Sequence, residues 1–246
     1  MWPVALVLLA APSMAHLEGG QVKPFFKLRA PDKRTEVPEL PAVKVKPFWL
    51  DTRPVTEGEF LQFVQTHHKW QRSFAPRLFV DERYLSRWRS DLELPNGDSS
   101  RSPATEVSWF AAKAYCAARG ARLPTLSEWE LALEDQGRDQ AAVTQRIIDW
   151  YQAPRGGVLR EAGSGVANGY GVRDLAGLVW EWTLDFDGAP TVSDSREGGA
   201  QGLFCGSGGA QAADPSDEAK FMRYAFRSSL KASYTTKDLG FRCAKD

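Results

Sequence analysis

Histidine and cysteine are scarce here, at three residues each in 246. The three histidines are His16, His67 and His68, and none sits in a context that would complete a Ser/His/Asp triad. They are also too few for a histidine-rich iron centre, and the vicinal pair His67-His68 reads as a solvated helix end. Net charge is missing too. The 31 Lys and Arg balance 31 Asp and Glu, which removes the electrostatic footprint of a nucleic-acid partner. No apolar run reaches the roughly 20 residues that a membrane-spanning helix needs. No internal repeat is visible.

What is present describes a folded domain. Hydrophobic residues make up 43% and charged residues 25%, which predicts a globular core rather than disorder. Nine tryptophans supply large apolar bodies for that core or for a binding surface. At the start, WPVALVLLAAP is almost wholly apolar, and Ser13-Met14-Ala15 puts small residues at the two cleavage-defining positions. The expectation is a signal peptide over 1–15 and a periplasmic or secreted product. No Lys or Arg precedes the run, so a buried N-terminal strand is the alternative.

Residues 16–45 are polar and proline-rich, and predict an extended lead-in with strand character near Val43 to Phe48. The domain is expected over 46–246. FWLDTRPVT opens as a short strand, after which Thr56 and Glu59 form a T-x-x-E capping box. Phe60, Phe63, Val64 and His67 then recur at helical spacing. Ser108 is the N-cap of a second helix that Gly120 ends, and Thr125 with Glu128 caps a third. A last helical stretch surrounds Phe221, Met222, Ala225 and Phe226. The remainder is glycine-rich and aromatic, so the fold class is α+β with much irregular structure.

Four segments in order resemble one family. They are FWLDTRPVTEGEFLQFV (48–64), PATEVSWFAAKAYCAARGARLPTLSEWELAL (103–133), GYGVRDLAGLVWEWTLD (169–185) and LGFRCAKD (239–246). Together they are similar to the formylglycine-generating enzymes, or sulfatase-modifying factors. The resemblance implies a single compact domain, C-type-lectin-like, with little regular secondary structure. It also implies an oxidase that turns a sulfatase cysteine into formylglycine with oxygen and copper. Other members of the fold are sulfoxide synthases, pyoverdine maturation proteins and non-enzymatic binding domains, so the fold alone does not fix function.

The oxidase chemistry implied by the resemblance needs two cysteines that hold Cu(I). Soft thiolates select that ion, and both sulfurs make the site. The corresponding interval, 206–242, contains no cysteine, and the two family positions fall near Asp214 and Ala219. The family's calcium site draws on the Asn of GNVWEW, where this chain has Leu178, whose side chain offers no oxygen. By the same resemblance Cys116 and Cys243 pair as a disulfide, with two buried free thiols as the alternative.

Cys205, in LFCGSGG, is then left over. It is the candidate catalytic thiol and copper ligand, against a plain reading as a small buried residue. Ser207 in the same turn joins it as a candidate ligand contact. Arg223 and Arg227 stand four apart on the last helix and would fork onto an acidic or peptide ligand, or onto internal acids. Trp180 and Trp182 flank Glu181 in the family signature, as a ligand surface or as core packing around a carboxylate bonded to backbone. Trp70, Arg72, Ser73, Tyr84, Leu85, Trp88, Cys205 and the run 221–234 look most like the NirV subgroup, found beside copper nitrite reductases. The expectation is a non-oxidase accessory protein with a protein or peptide partner, and the alternative is an enzyme whose metal or redox chemistry depends on Cys205.

Overall fold

Local signals set the helices. The computed structural model describes residues 13–23, 41–95, 99–152, 159–186, 219, 222–223, 226–227 and 229–246. Helix α1 spans Glu57–Thr66, and its capping box is closed in both directions: Thr56 Oγ1 accepts from the Glu59 N–H, and the Glu59 carboxylate accepts from the Thr56 N–H at 2.8 Å. Helix α2 spans Trp109–Ala118 behind the Ser108 cap. Gly120 ends it at φ +65°, a conformation that glycine adopts without strain. Helix α3, Leu126–Glu134, repeats the capping box with Thr125 and Glu128. A fourth helix, α4 at Gln140–Gln152, has no counterpart among the sequence expectations. Only Val143 and Ile147 of it are buried, so its apolar stripe is sparse. Positions 219, 222, 223, 226 and 227 are helical, in keeping with the expected last helix.

The strands are short. They are β1 (Met14–Leu17), β2 (Gly20–Val22), β3 (Val43–Val45), β4 (Phe48–Asp51), β5 (Trp180–Glu181), β6 (Leu239–Gly240) and β7 (Ala244–Lys245). β4 is the centre of a three-stranded antiparallel sheet, with β1 on one side and β7 on the other. β2 pairs with β3, and β5 runs parallel to β6. The first and last of the described strands therefore both pair with β4. β1 crosses the expected boundary at Ala15, with Met14 opposite Asp51 and Ala15 opposite Leu50. The expected lead-in also carries structure: Leu17 and Val22 are buried in the core beside β4 and α3.

Two cores hold these pieces. One gathers Phe60, Tyr115, Trp88, Trp182 and Phe241 between α1, α2 and the C-terminal segment. The other packs the inner face of the β1–β4–β7 sheet on Trp129, Ala132 and Leu133 of α3. Cys116 of α2 is bonded to Cys243, 127 residues away, at the entrance to β7. Among the described residues no helix is long and apolar enough to cross a membrane.

Candidate functional site

Strand β5 carries Trp180 and Glu181, with Trp182 following, and all three are buried. A carboxylate at this depth needs a counter-charge, and the sequence reading assigned it backbone donors. The structure supplies side chains instead. Arg242 forks onto Glu181 through Nε and Nη2, both at 2.7 Å, and the Trp129 indole N–H donates to it at 2.8 Å. Arg242 also donates to the carbonyls of Asp51 and Arg173, which ties β4, β5 and the C-terminal segment to one guanidinium. Trp182 donates its N–H to the Val107 carbonyl, and Trp180 stacks on Phe226 and meets Trp150 edge-on. Neither tryptophan offers a face to a ligand, so the ligand-surface alternative gives way to packing.

The next residue of α3 answers the question of the paired arginines. Arg223 donates to both oxygens of Glu130, at 3.1 and 2.7 Å, and Arg227 reaches the same carboxylate at 3.4 Å. The Arg227 guanidinium also lies over the Trp129 ring, 4.5 Å from its centre. Both arginines are buried. Of the two readings open for this pair, an outside acidic ligand or internal acids, the carboxylate beside them in the structure is the internal one, Glu130. The reason is burial: a sequestered guanidinium is stable only with a counter-ion at hand, and Glu130 occupies that place.

A third carboxylate completes this frame. Asp51, at the end of β4, accepts a fork from Arg119 and the N–H of Cys243, while its own N–H donates to the Cys243 carbonyl. Burial pushes the Asp51 carboxyl above the usual aspartate range, and the Arg119 fork acts against that rise. Beside it, a cavity of about 230 Å³ lies between α1 and α2, lined by Glu59, Phe63, His67, Tyr115 and Arg119. Its charges are already engaged, Glu59 by Arg53 and Arg119 by Asp51. His67 closes α1 as its C-cap and stacks on Phe63.

Residues 7–246 match the sulfatase-modifying factor enzyme 1-like domain. The chain belongs to this family. Among its relatives is the mouse inactive C-alpha-formylglycine-generating enzyme 2, 30% identical over 95% of this chain and 85% of that protein. The formylglycine-generating enzyme of Streptomyces coelicolor is 29% identical over 83% of this chain and 80% of its own length. Among solved structures, PvdO from Pseudomonas aeruginosa aligns over 96% of this chain and 94% of its own, at 18% identity and a TM-score of 0.49. The class expected from sequence, α+β in one compact domain with short strands, is the class observed.

The family's copper chemistry can be tested on the residues present. Of the two ligand positions that the resemblance implies, Ala219 is a buried alanine in the second core. The other, near Asp214, lies outside the described residues, as do Cys205 and Ser207. The disulfide consumes Cys116 and Cys243, so the chain retains a single further thiol. A two-thiolate Cu(I) site does not fit this inventory. Leu178, at the position that the resemblance gives to a calcium ligand, is buried. Among the described residues no group of three or more His, Cys, Asp or Glu comes together as a metal site. The residues that organise the centre of the fold, Trp129, Glu130, Asp51, Arg119 and Arg242, lay within the matched motifs EWE, WLD, AARG and GFRC, but which would pair with which had no local signal.

Proposed function

We propose that this family member is not a formylglycine oxidase but an exported accessory protein that binds a protein or peptide partner during maturation of a metalloenzyme. The observation that carries the reading is the cysteine inventory: three in all, two joined as Cys116–Cys243, and none over 206–242, where the family's copper pair falls. The disulfide supports export, because such bonds persist in oxidising compartments. Similarity over nearly the whole chain to a mouse protein named as inactive supports loss of the oxidase step. The resemblance of Trp70, Arg72, Tyr84 and Trp88 to the NirV pattern supports a copper nitrite reductase as the metalloenzyme served. The second reading, altered chemistry at Cys205, rests on that thiol being left over once the disulfide forms.

Titration of the purified protein with Cu(I) against a competing chelator, beside a Cys205→Ser variant, separates the two. Absence of tight binding in both proteins is the expected result. Tight one-to-one binding that disappears in the variant would sink the accessory reading and make Cys205 a metal ligand.

A further inference from the structure

The resemblance places a calcium ligand on the segment 169–185, at Leu178, and the charges within that segment are met in another way. Two of its acids, Asp174 and Glu181, have fully buried side chains. Glu181 is held by Arg242 and Trp129. Asp174 lies in the left-handed region at φ +59°, which aspartate tolerates better than most side chains do. A loop at 159–165 folds over its carboxylate. The Gly163 N–H donates to Oδ2 at 2.5 Å, and the Arg160 guanidinium stands 2.6 Å from Oδ1. Gly163 has φ +88°, and a Cβ on Gly165 would collide with Oδ1, so both positions need glycine for the loop to come this close.

The groups that face this carboxylate are donors. Calcium takes about six to eight oxygen ligands, from carboxylates, carbonyls or water. Around Asp174 stand a backbone N–H and a guanidinium, and Leu178 brings no oxygen from its side chain. Oδ1 receives no well-directed hydrogen bond, so what compensates it is the charge of Arg160. Arg160 is positioned by Ser164, whose hydroxyl oxygen accepts from Nη1 at 2.9 Å while its hydrogen goes to the Glu161 carbonyl. The Gly165 carbonyl is itself taken, by Arg173 at 2.6 Å, which fixes the far end of the loop. The residues present therefore do not fit a resident calcium ion at this place.

We propose that Arg160 is a built-in cation. It supplies the positive charge that Asp174 requires, clamps the 159–165 loop onto the 169–185 segment, and lets the chain fold without calcium. A buried carboxylate is stable only with a counter-charge, and a guanidinium carried on the adjoining loop provides one at any calcium concentration. The inference does not depend on the accessory-protein reading.

The test is thermal unfolding of the full chain, followed by circular dichroism, in EGTA and in millimolar calcium. The native protein melts at the same temperature in both, and calorimetric titration of the EGTA-treated chain with calcium chloride shows no binding. Arg160→Met keeps the stem but removes the charge, and melts about 4–8 °C lower, the scale for unpairing a buried acid whose partner is partly in water. Arg160→Lys keeps the charge and loses less than about half of that. Adding Asp174→Asn to Arg160→Met removes the unpaired charge and recovers part of the loss, which a packing role for Arg160 would not give. A rise of more than about 3 °C in the native melting temperature with calcium, or saturable calcium binding, overturns the assignment. Equal melting of the Met and Lys variants overturns it too.

Discussion

Replacing Glu181 by glutamine tests whether the signature carboxylate is the electrostatic keystone of the fold. In the native protein its two oxygens take three hydrogen bonds, two from Arg242 and one from Trp129, with every group buried. Glutamine keeps the shape but removes the charge, and its amide nitrogen sets a donor against a donor. Arg242 retains its bonds to the Asp51 and Arg173 carbonyls, but a buried guanidinium is left without its counter-ion. Breaking a buried pair from one side costs about 3–5 kcal/mol. For a chain of this length each kcal/mol lowers the melting temperature by roughly 2–4 °C, so a fall of about 6–20 °C is expected. Urea unfolding followed by tryptophan fluorescence and by circular dichroism supplies both the free energy and a check on two-state behaviour. A double variant, Glu181→Leu with Arg242→Met, removes both charges and should be more stable than Glu181→Gln alone, because no buried charge is left uncompensated. A single variant within about 1 kcal/mol of the native protein, the scale of an ordinary hydrogen bond, would refute this account.

Three further outcomes follow from other parts of the structure. Cutting the Cys116–Cys243 bond by Cys243→Ala releases a loop of 127 residues, and the chain-entropy relation sets the loss at about 5 kcal/mol, read by urea titration against the native protein. Glu57 is buried, and burial raises its carboxyl above the ordinary glutamate range while Arg87 opposes the rise. A raised folded value favours the fold below the ordinary range and loses that advantage as pH rises through the raised value. The stability of Glu57→Gln relative to native should therefore improve with pH, and a difference constant across pH would contradict it. A chain beginning at His16 lacks Met14 and Ala15 of β1 and the Ser13 carbonyl that accepts from the Thr52 N–H. It should be less stable than one beginning at Ser13 by about 2–3 kcal/mol, at roughly 1 kcal/mol per lost hydrogen bond, and intact-mass measurement of the protein purified from its native host shows which chain occurs.

How far the sequence could be read depended on the range of the interaction involved. Thr56 with Glu59, Ser108 with Ala111, and Thr125 with Glu128 lie three residues apart, and each marks a helix start that the structure reproduces. Helix α4 was missed because only Val143 and Ile147 of it are buried, and so sparse an apolar stripe gives little helical period to read. β1 and β2 were hidden for a related reason: a strand of three or four residues gives too few alternations to stand out from a polar segment. The centre of the fold was harder still. Arg242 and Glu181 are 61 residues apart, Arg223 and Glu130 are 93, and Asp51 and Cys243 are 192. No local period encodes which arginine meets which acid, so Arg223 and Arg227 looked available for a ligand when an internal acid already held them. The loop at 71–94 shows the converse. Its Trp88 and Tyr84 stood out as a pattern and proved to be scaffold, whereas Phe74, Arg77 and Leu78, which no pattern marked, are among the residues left facing water. A surface is defined by what the core leaves over, and that becomes visible only once the long-range pairs are known.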